Sequence, residues 1–299
     1  MFRENGFINL DNILNDIGVD TSSLDSIMKS DKITVINGSS SNVFSFEYNN
    51  TRFYFKTNDD RTLYNYYAEL LAEELAKDFG IPCALYDLAK VGNHYGVISK
   101  DIKKENATYI DLEDIIGSYH DDLWDNFSLM NIWNDLNTYY KDRDDREKIV
   151  SKLISKIVDK FIFDVLICQL DSSNMKIMES DGNVSLAPIF DNEFMQYESR
   201  EFAFYFGVDE KIVPVDKYPA LSAFDRFLSI SSKQYVDRVV DKMWVISDAK
   251  LVKKLENIER KTDYPIPEYI KTTFLNRFTN YRNMLVEVLH KNIDNFKSK

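Results

Sequence analysis

The alternation of apolar and polar residues between positions 43 and 56 constrains the fold of this chain more than any other feature. VFSFEY (43–48) and TRFYFK (51–56) carry an apolar residue at every second position, and two Asn residues separate them. Two alternating segments joined by a two-residue turn are typical of a β-hairpin. Another alternating segment, KITVIN (32–37), precedes the hairpin. The sequence therefore predicts an antiparallel sheet close to its amino terminus.

A long helix is predicted directly after this hairpin. Residues 61–79 have apolar side chains at helical spacing, and Gly80 and Pro82 end the pattern. Strand-like segments follow at 83–91 and 94–99. Residues 1–30 are polar with scattered Ile and Leu, which predicts one or two short helices.

Beyond residue 100 the sequence pattern is mostly helical. Helices are predicted at 120–140 and 148–168, and again from about 218 to the end of the chain. A second hairpin is predicted between them, because short apolar segments at 175–178 and 184–191 flank an Asp-Gly turn. We therefore predict an α+β protein with two lobes that act as one unit. Residues 1–98 form a small β-rich lobe with one helix, and residues 99–299 form a large helical lobe.

Composition excludes several classes of function. The 299 residues include 49 acidic and 37 basic side chains, giving a net charge of −12, which disfavours binding to nucleic acid or to anionic membranes. No segment approaches the ~18 apolar residues of a membrane span, and the amino terminus lacks the apolar run of a signal peptide. Cys83 and Cys168 lie in apolar sequence, which indicates buried free thiols in a reducing compartment. We expect a soluble, cytoplasmic protein, with secretion as an effector left open.

Three features of the small lobe favour nucleotide binding. Gly38, Ser39, Ser40, Ser41 and Asn42 form a loop of small residues whose backbone N–H groups could approach phosphate oxygens. Lys56 ends the second strand of the hairpin and supplies a cation for the phosphates, and Glu69 on the following helix is its expected ion-pair partner.

Three polar residues of the large lobe complete this set. Asp191 and Asn174 offer the oxygen ligands that Mg²⁺ prefers. Asp171 is the candidate carboxylate for orienting a hydroxyl group that accepts a phosphoryl group.

In this arrangement the chain resembles the HipA-like serine/threonine kinases, over roughly residues 35–290. The similarity is carried mainly by FIFDVLICQLDSSNMKIM (161–178) and LAPIFD (186–191), where the family has a catalytic loop, a hairpin and a metal-binding Asp. AELLAEELAKDFGIP (68–82) is similar to the Glu-containing helix of that family. GVISKDI (96–102) is similar to the connector whose backbone binds adenine.

This resemblance implies a compact family member without the extended N-terminal subdomain, and a bilobal protein-kinase-like fold. ATP and Mg²⁺ are the implied cofactors, with Ile98, Ser99 and Asp101 near the adenine. The implied activity is phosphoryl transfer to Ser or Thr of a protein substrate, by a toxin or an effector. An antitoxin or a host protein is then a further partner, and neither nucleic acid nor a membrane is one.

Several alternatives remain open from the sequence. Asn174 lies three residues after Asp171 rather than the five that the family has, which leaves an ATP-binding pseudokinase as one alternative. A kinase for a small molecule or a lipid headgroup is another, and a helical interaction protein with an unrelated sheet is a third. The three serines at 39–41 are also candidate sites of autophosphorylation, because they would lie beside the γ-phosphate.

Overall fold

The fold is that of a computed structural model, which describes residues 3–36, 42–57, 64–116, 129–167, 175–192, 237, 240–242 and 247–297. Its strands are β1 Arg3–Glu4, β2 Phe7–Asn9, β3 Thr34–Ile36, β4 Asn42–Tyr48, β5 Thr51–Thr57, β6 Tyr86–Val91, β7 His94–Lys100, β8 Ala107–Asp111, β9 Lys176–Ser180 and β10 Asn183–Leu186. Its helices are α1 Asp11–Asp16, α2 Leu24–Met28, α3 Tyr64–Phe79, α4 Leu112–Ile116, α5 Leu129–Tyr139, α6 Arg146–Ile167, α7 Asp248–Thr262 and α8 Glu268–Lys297.

The small lobe is built on a seven-stranded sheet with the order β1-β2-β6-β7-β5-β4-β3. The predicted hairpin is confirmed as β4 and β5, which pair in antiparallel register from Asn42–Thr57 to Tyr48–Thr51. Asn49 and Asn50 have φ angles of 50° and 58°, the left-handed values that a two-residue hairpin turn needs and that Asn tolerates well.

The first ten residues differ from the prediction. Helices α1 and α2 lie within residues 1–30 as expected, but β1 and β2 precede them, and β2 pairs in parallel with β6. The turn between β1 and β2 has Gly6 at φ 83°, and a Cβ atom there would lie 2.2 Å from Cβ of Tyr264. Strands of two and three residues are too short for an alternating pattern to be recognised, which is why the sequence pattern did not indicate them.

The two faces of this sheet pack against different parts of the molecule. Phenylalanines of β4 and β5 point to one face, where they form a core with the apolar residues of α1 and α2. The opposite face packs against α3 and is continuous with the core of the large lobe. Because side chains alternate along β5, Phe53 and Phe55 point to the core with α1 and α2, whereas Tyr54 and Lys56 point to the opposite face of the sheet.

The large lobe surrounds α6, which packs against α3, α5, α8 and β10. The predicted second hairpin is confirmed as β9 and β10, and the turn between them contains Asp181 and Gly182. A third strand, β8, was not predicted, and it pairs with β9 to give a sheet with the order β10-β9-β8. In the part of the chain that the structure describes, no helix is both long and apolar enough to cross a membrane.

Candidate active site

Lys56 reaches the inner face of the small lobe because of the alternation along β5. Phe53 and Phe55 are buried in the core that the sheet forms with α1 and α2. Tyr54 and Lys56 instead line a cavity between the sheet and the large lobe. Gly96 of β7 permits this close strand pairing, since a Cβ atom there would lie 2.2 Å from the carbonyl oxygen of Lys56. The Lys56 side chain is 16% exposed, so its ammonium group is largely removed from solvent.

Glu69 of α3 is the predicted partner of Lys56, and the structure brings the two together. Nζ of Lys56 lies 3.5 Å from Oε1 of Glu69, whose side chain is 2% exposed. Burial raises the pKa of Glu69, and the nearby Lys56 charge only partly offsets this effect. A buried carboxylate in contact with a lysine fixes the position of an otherwise flexible ammonium group.

Asp191 completes a three-residue cluster. Its carboxylate also forms an ion pair with Nζ of Lys56, and its side chain is 45% exposed at the cavity. The residue has φ 60°, a left-handed conformation that costs an L-residue roughly 1–2 kcal/mol. The surrounding contacts must compensate for this cost.

The main chain around Asp191 is attached to the small lobe at four points. Ile189 exchanges hydrogen bonds with the backbone on either side of Cys83, donating to the Pro82 oxygen and accepting from the Ala84 nitrogen, both at 2.8 Å. The N–H of Asp191 donates to Oη of Tyr86 at 3.0 Å, and the N–H of Asn192 donates to Oε2 of Glu69 at 2.9 Å. Glu69 therefore holds both Lys56 and the segment that carries Asp191.

A second carboxylate lies one helical turn after Glu69. Glu73 is also buried, and its Oε2 accepts from the N–H of Tyr86 at 2.9 Å and contacts Nζ of Lys261 at 2.6 Å. Farther along α3, Asp78 forms an ion pair with Lys254 at 2.9 Å. These contacts attach α3 to α7, away from the cavity.

The cavity has a volume of about 280 Å³, close to the lower end of the roughly 300–1,000 Å³ found for small-molecule sites. Its inner part contains Lys56, Glu69, Tyr86, Phe190 and Asp191. Apolar residues from both lobes and polar residues of the connecting segment form the rest of its wall: Ile36, Val43, Tyr54, Ala84, Val97, Ser99, Lys100, Asp101, Ile102, Lys103, Tyr109 and Lys176. A cavity that combines apolar walls with the cluster of Lys56, Glu69 and Asp191 suits a ligand with an apolar part and an anionic part.

The predicted connector begins later than expected. Residues up to Lys100 belong to β7, which pairs with β5 on one side and β6 on the other. Ser99 and Asp101 line the cavity, whereas the side chain of Ile98 is buried in the core that the sheet forms with α1 and α2. Strand alternation explains this difference, because Ile98 and Ser99 are neighbours in one strand. The connector itself is stabilised by Tyr109, whose Oη donates to the Ile102 oxygen at 2.9 Å.

Among the described residues, the carboxylate of Asp191 is suited to binding a divalent cation. Asp191 presents a partly exposed carboxylate to the cavity, next to Lys56. Mg²⁺ is commonly held by one or two carboxylates together with substrate phosphates. The adjacent Asn192 is 1% exposed, and within the described residues neither polar atom of its carboxamide has a hydrogen-bond partner. This segment therefore has a further buried oxygen that could act as a ligand.

Other predicted site residues lie outside the described residues. They are Gly38, Ser39, Ser40, Ser41, Asp171 and Asn174. Asn42 is described and lies exposed at the start of β4, opposite Thr57. The structure thus brings together Lys56, Glu69 and Asp191, whereas the roles predicted for Asp171 and Asn174 stay predictions.

Two tyrosines at the site were not predicted to be site residues. Tyr54 and Tyr86 line the cavity, and Oη of Tyr54 lies 3.5 Å from Oδ2 of Asp101 at its mouth. Alternation along β5 placed Tyr54 on the same face as Lys56, which is a usable signal. Tyr86 gave none, because its role depends on the distant residue Asp191.

The fold and the site together define a kinase-like α+β fold, with an N-terminal sheet and helix followed by a more helical region. A proinflammatory kinase from Helicobacter pylori, CtkA, has a similar structure, with a TM-score of 0.60, 16% sequence identity, and coverage of 87% of this chain and 94% of that one.

Two further solved structures are more distant. The Golgi casein kinase bound to Mn and ADP gives a TM-score of 0.46 at 11% identity, covering 93% of this chain and 76% of that one. HipA of a Shewanella oneidensis toxin–antitoxin system was solved in complex with HipB and operator DNA. It gives a TM-score of 0.37 at 12% identity, covering 88% of this chain and 66% of that one. Only the comparison with CtkA supports the fold, because the other scores are below 0.5. No family model and no curated protein matches the sequence.

Proposed function

We propose that this protein is an ATP-dependent phosphotransferase that transfers a phosphoryl group to Ser or Thr of a protein substrate. The observation that carries the proposal is the contact of Lys56 with both Glu69 and Asp191 at the wall of one cavity. A lysine fixed by a buried carboxylate, beside a second carboxylate that can bind metal, is the arrangement needed to bind nucleotide phosphates.

Each of these residues has a distinct role in the proposal. Lys56 neutralises phosphate charge, Glu69 holds Lys56 in position, and Asp191 provides a carboxylate ligand for Mg²⁺. The metal would supply further neutralisation of phosphate charge. The adenine would lie in the apolar part of the cavity near Ser99 and Asp101. Asp171 would orient the acceptor hydroxyl, and Asn174 would be a second metal ligand. Positioning and electrostatics supply most of the catalysis in such reactions.

The protein substrate is proposed from the resemblance of the sequence to HipA-like kinases. A role as a toxin with an antitoxin partner, or as an effector with a host partner, has the same basis. CtkA, the structure with the most similar fold of the three, is described as a proinflammatory kinase.

Transfer of label from γ-labelled ATP tests the activity. Purified protein would be incubated with Mg²⁺ and a cell lysate, and compared with Asp191→Asn. Removal of the metal carboxylate is expected to reduce transfer by roughly 10²–10³-fold. Asp181→Asn is a matched control, because Asp181 also has a left-handed backbone (φ 50°) but lies exposed on the β9–β10 turn. Full transfer by Asp191→Asn would contradict the proposal.

The same samples separate the alternatives. An ATP-binding pseudokinase would show no transfer, although Mg-ATP would raise its melting temperature, since a ligand that binds only the folded state stabilises it. A kinase for a small molecule or lipid headgroup would label that acceptor in a substrate screen and no protein band. A helical interaction protein would show neither transfer nor stabilisation by ATP.

A further inference from the structure

Tyr86 is a buried residue of the cavity that the proposed reaction does not yet use. It lies on β6 and is 6% exposed, and its ring forms part of the inner cavity wall. Its hydroxyl oxygen accepts a hydrogen bond from the N–H of Asp191 at 3.0 Å. This contact spans 105 residues of sequence and joins the small lobe to the segment that carries the metal carboxylate.

The N–H groups of residues 189–192 donate to two kinds of acceptor, backbone carbonyls and side chains. Ile189 is attached through backbone groups, as in a short parallel bridge to Cys83. The next two hydrogen bonds involve side chains instead. Asp191 N–H donates to Tyr86, and Asn192 N–H donates to Glu69. Both acceptors are buried, so water cannot easily replace either of them.

These two hydrogen bonds restrain the backbone on both sides of the Asp191 Cα atom. Its own N–H belongs to the peptide plane before its Cα atom, and the N–H of Asn192 belongs to the plane after it. Because peptide units are planar, restraining both planes restricts φ and ψ, and hence the direction of the Cα–Cβ bond that carries the carboxylate. These constraints help to hold Asp191 at its φ of 60°, a left-handed conformation.

Glu69 alone cannot supply this control. Its Oε2 accepts from Asn192 and its Oε1 contacts Lys56, so it restrains only the plane after Asp191. Tyr86 restrains the plane before it. The position of Tyr86 is itself fixed, because its N–H donates to the buried Glu73 at 2.9 Å.

We propose that Tyr86 is a positioning residue for the metal carboxylate, whose hydroxyl orients Asp191 by accepting its backbone N–H. This inference rests on the proposed function, since it assigns a residue to the same site. Phenylalanine at position 86 would keep the ring and its packing but would leave the Asp191 N–H without its acceptor. The carboxylate would then lose orientation, and metal binding would weaken more than nucleotide binding.

The test compares Tyr86→Phe with Tyr140→Phe. Tyr140 is equally buried and its hydroxyl donates to Glu179 at 2.8 Å, but it lies away from the cavity. Two readouts are used: the Mg²⁺ concentration for half-maximal transfer, and Mn²⁺ binding measured by electron paramagnetic resonance with a non-hydrolysable ATP analogue. Melting temperatures of both variants show that they are folded.

We expect Tyr86→Phe to require roughly tenfold more Mg²⁺ and to bind Mn²⁺ about tenfold more weakly, as when other groups that orient metal ligands are removed. The KM for ATP at saturating Mg²⁺ should stay unchanged, and Tyr140→Phe should match the wild type in both readouts. Unchanged metal affinity in Tyr86→Phe, or equal weakening in both variants, would overturn the inference.

The two readouts also separate this inference from the proposed function. A wild-type protein that binds Mn²⁺ and the analogue but transfers no phosphate contradicts the proposed function, and Mn²⁺ binding alone then decides the role of Tyr86. A wild-type protein that binds neither overturns both proposals.

Discussion

Glu69 and Glu73 lie one turn apart on α3 and have nearly the same surroundings, but they serve different parts of the molecule. Each is buried, each is ion-paired with lysine, and each accepts one backbone N–H. The lysine of Glu69 is Lys56, which also contacts Asp191 beside a cavity. Glu73 pairs with Lys261, which attaches α3 to α7, and with Lys77 of its own helix at 3.4 Å.

The comparison shows that a buried Glu–Lys pair does not by itself mark a functional site. Buried charges carry a desolvation penalty wherever they occur, so ion pairing is needed at both positions. What distinguishes Glu69 is the second carboxylate and the cavity next to its lysine. Function is therefore assigned from the set of neighbours, and the ion pair alone would not have been sufficient.

The largest expected difference comes from removing one charge at each position. Glu69→Gln keeps an acceptor for Asn192 but no longer holds Lys56, and we expect kcat/KM for transfer to fall by roughly 10²-fold. Glu73→Gln keeps an acceptor for Tyr86 but loses the pairs with Lys261 and Lys77. Since Lys261 is 31% exposed and can be hydrated, the expected loss is only about 1–2 kcal/mol of unfolding free energy.

Steady-state kinetics and denaturant unfolding on both variants check this prediction. Glu256→Gln, at an exposed position of α7, is the matched control and should leave both quantities unchanged. An equal loss of activity in Glu69→Gln and Glu73→Gln would remove the distinction between the two sites.

A smaller effect is expected from pH. Burial raises the pKa of Glu69 above its ordinary value of 4.5, so the carboxyl takes up a proton at a higher pH than an exposed one. Transfer should therefore decline as the pH falls through this raised value, because neutral Glu69 no longer holds Lys56. The free energy of unfolding changes in the opposite direction and increases as the pH falls. The folded state binds this proton more tightly than the unfolded state, so protonation of Glu69 stabilises the fold over the same interval.

The pH profile of kcat/KM in the wild type and in Glu69→Gln measures this effect. The wild type should show an acidic limb above the usual carboxyl range, and the variant should lack that limb at its lower activity. A limb that persists unchanged in Glu69→Gln would assign the titration to another group.

The smallest effect is expected at the outer end of α3. Lys254→Ala removes the pair with Asp78, whose side chains are 12% and 25% exposed. Partly exposed pairs contribute about 0.5–1 kcal/mol, which corresponds to a decrease in melting temperature of roughly 1–4 °C for a chain of this size. Transfer should be unaffected. Calorimetry and the transfer assay together check this, and a large loss of activity would show that the attachment to α7 also controls the site.

The elements of the small lobe were predictable because their patterns are local. Alternation along β4 and β5 indicated both the hairpin and the face that carries Lys56, and helical spacing indicated α3. Asp191 was found from the LAPIFD segment together with the preceding hairpin. In each case the signal lies within about twenty residues of sequence.

Contacts between distant segments were not predictable in this way. Glu73 had the sequence features of a surface carboxylate, but the structure buries it against Lys261 of α7. The short strands β1, β2 and β8 have no pattern of their own, because their pairing depends on partners elsewhere in the chain. The role proposed for Tyr86 likewise depends on its hydrogen bond with Asp191, which is 105 residues away in the sequence.

Titration calorimetry of ATP, with and without Mg²⁺, tests the central claim most directly: Lys56, held by Glu69 and beside Asp191, binds nucleotide phosphates. The experiment compares the wild type with Lys56→Met, and Lys29→Met, at an exposed position directly after α2, is the control. We predict Mg²⁺-dependent binding by the wild type and by Lys29→Met, with affinity reduced about 10–100-fold in Lys56→Met, as expected for loss of a charged hydrogen-bond donor. Equal affinity in Lys56→Met, or no binding by the wild type, would contradict the claim.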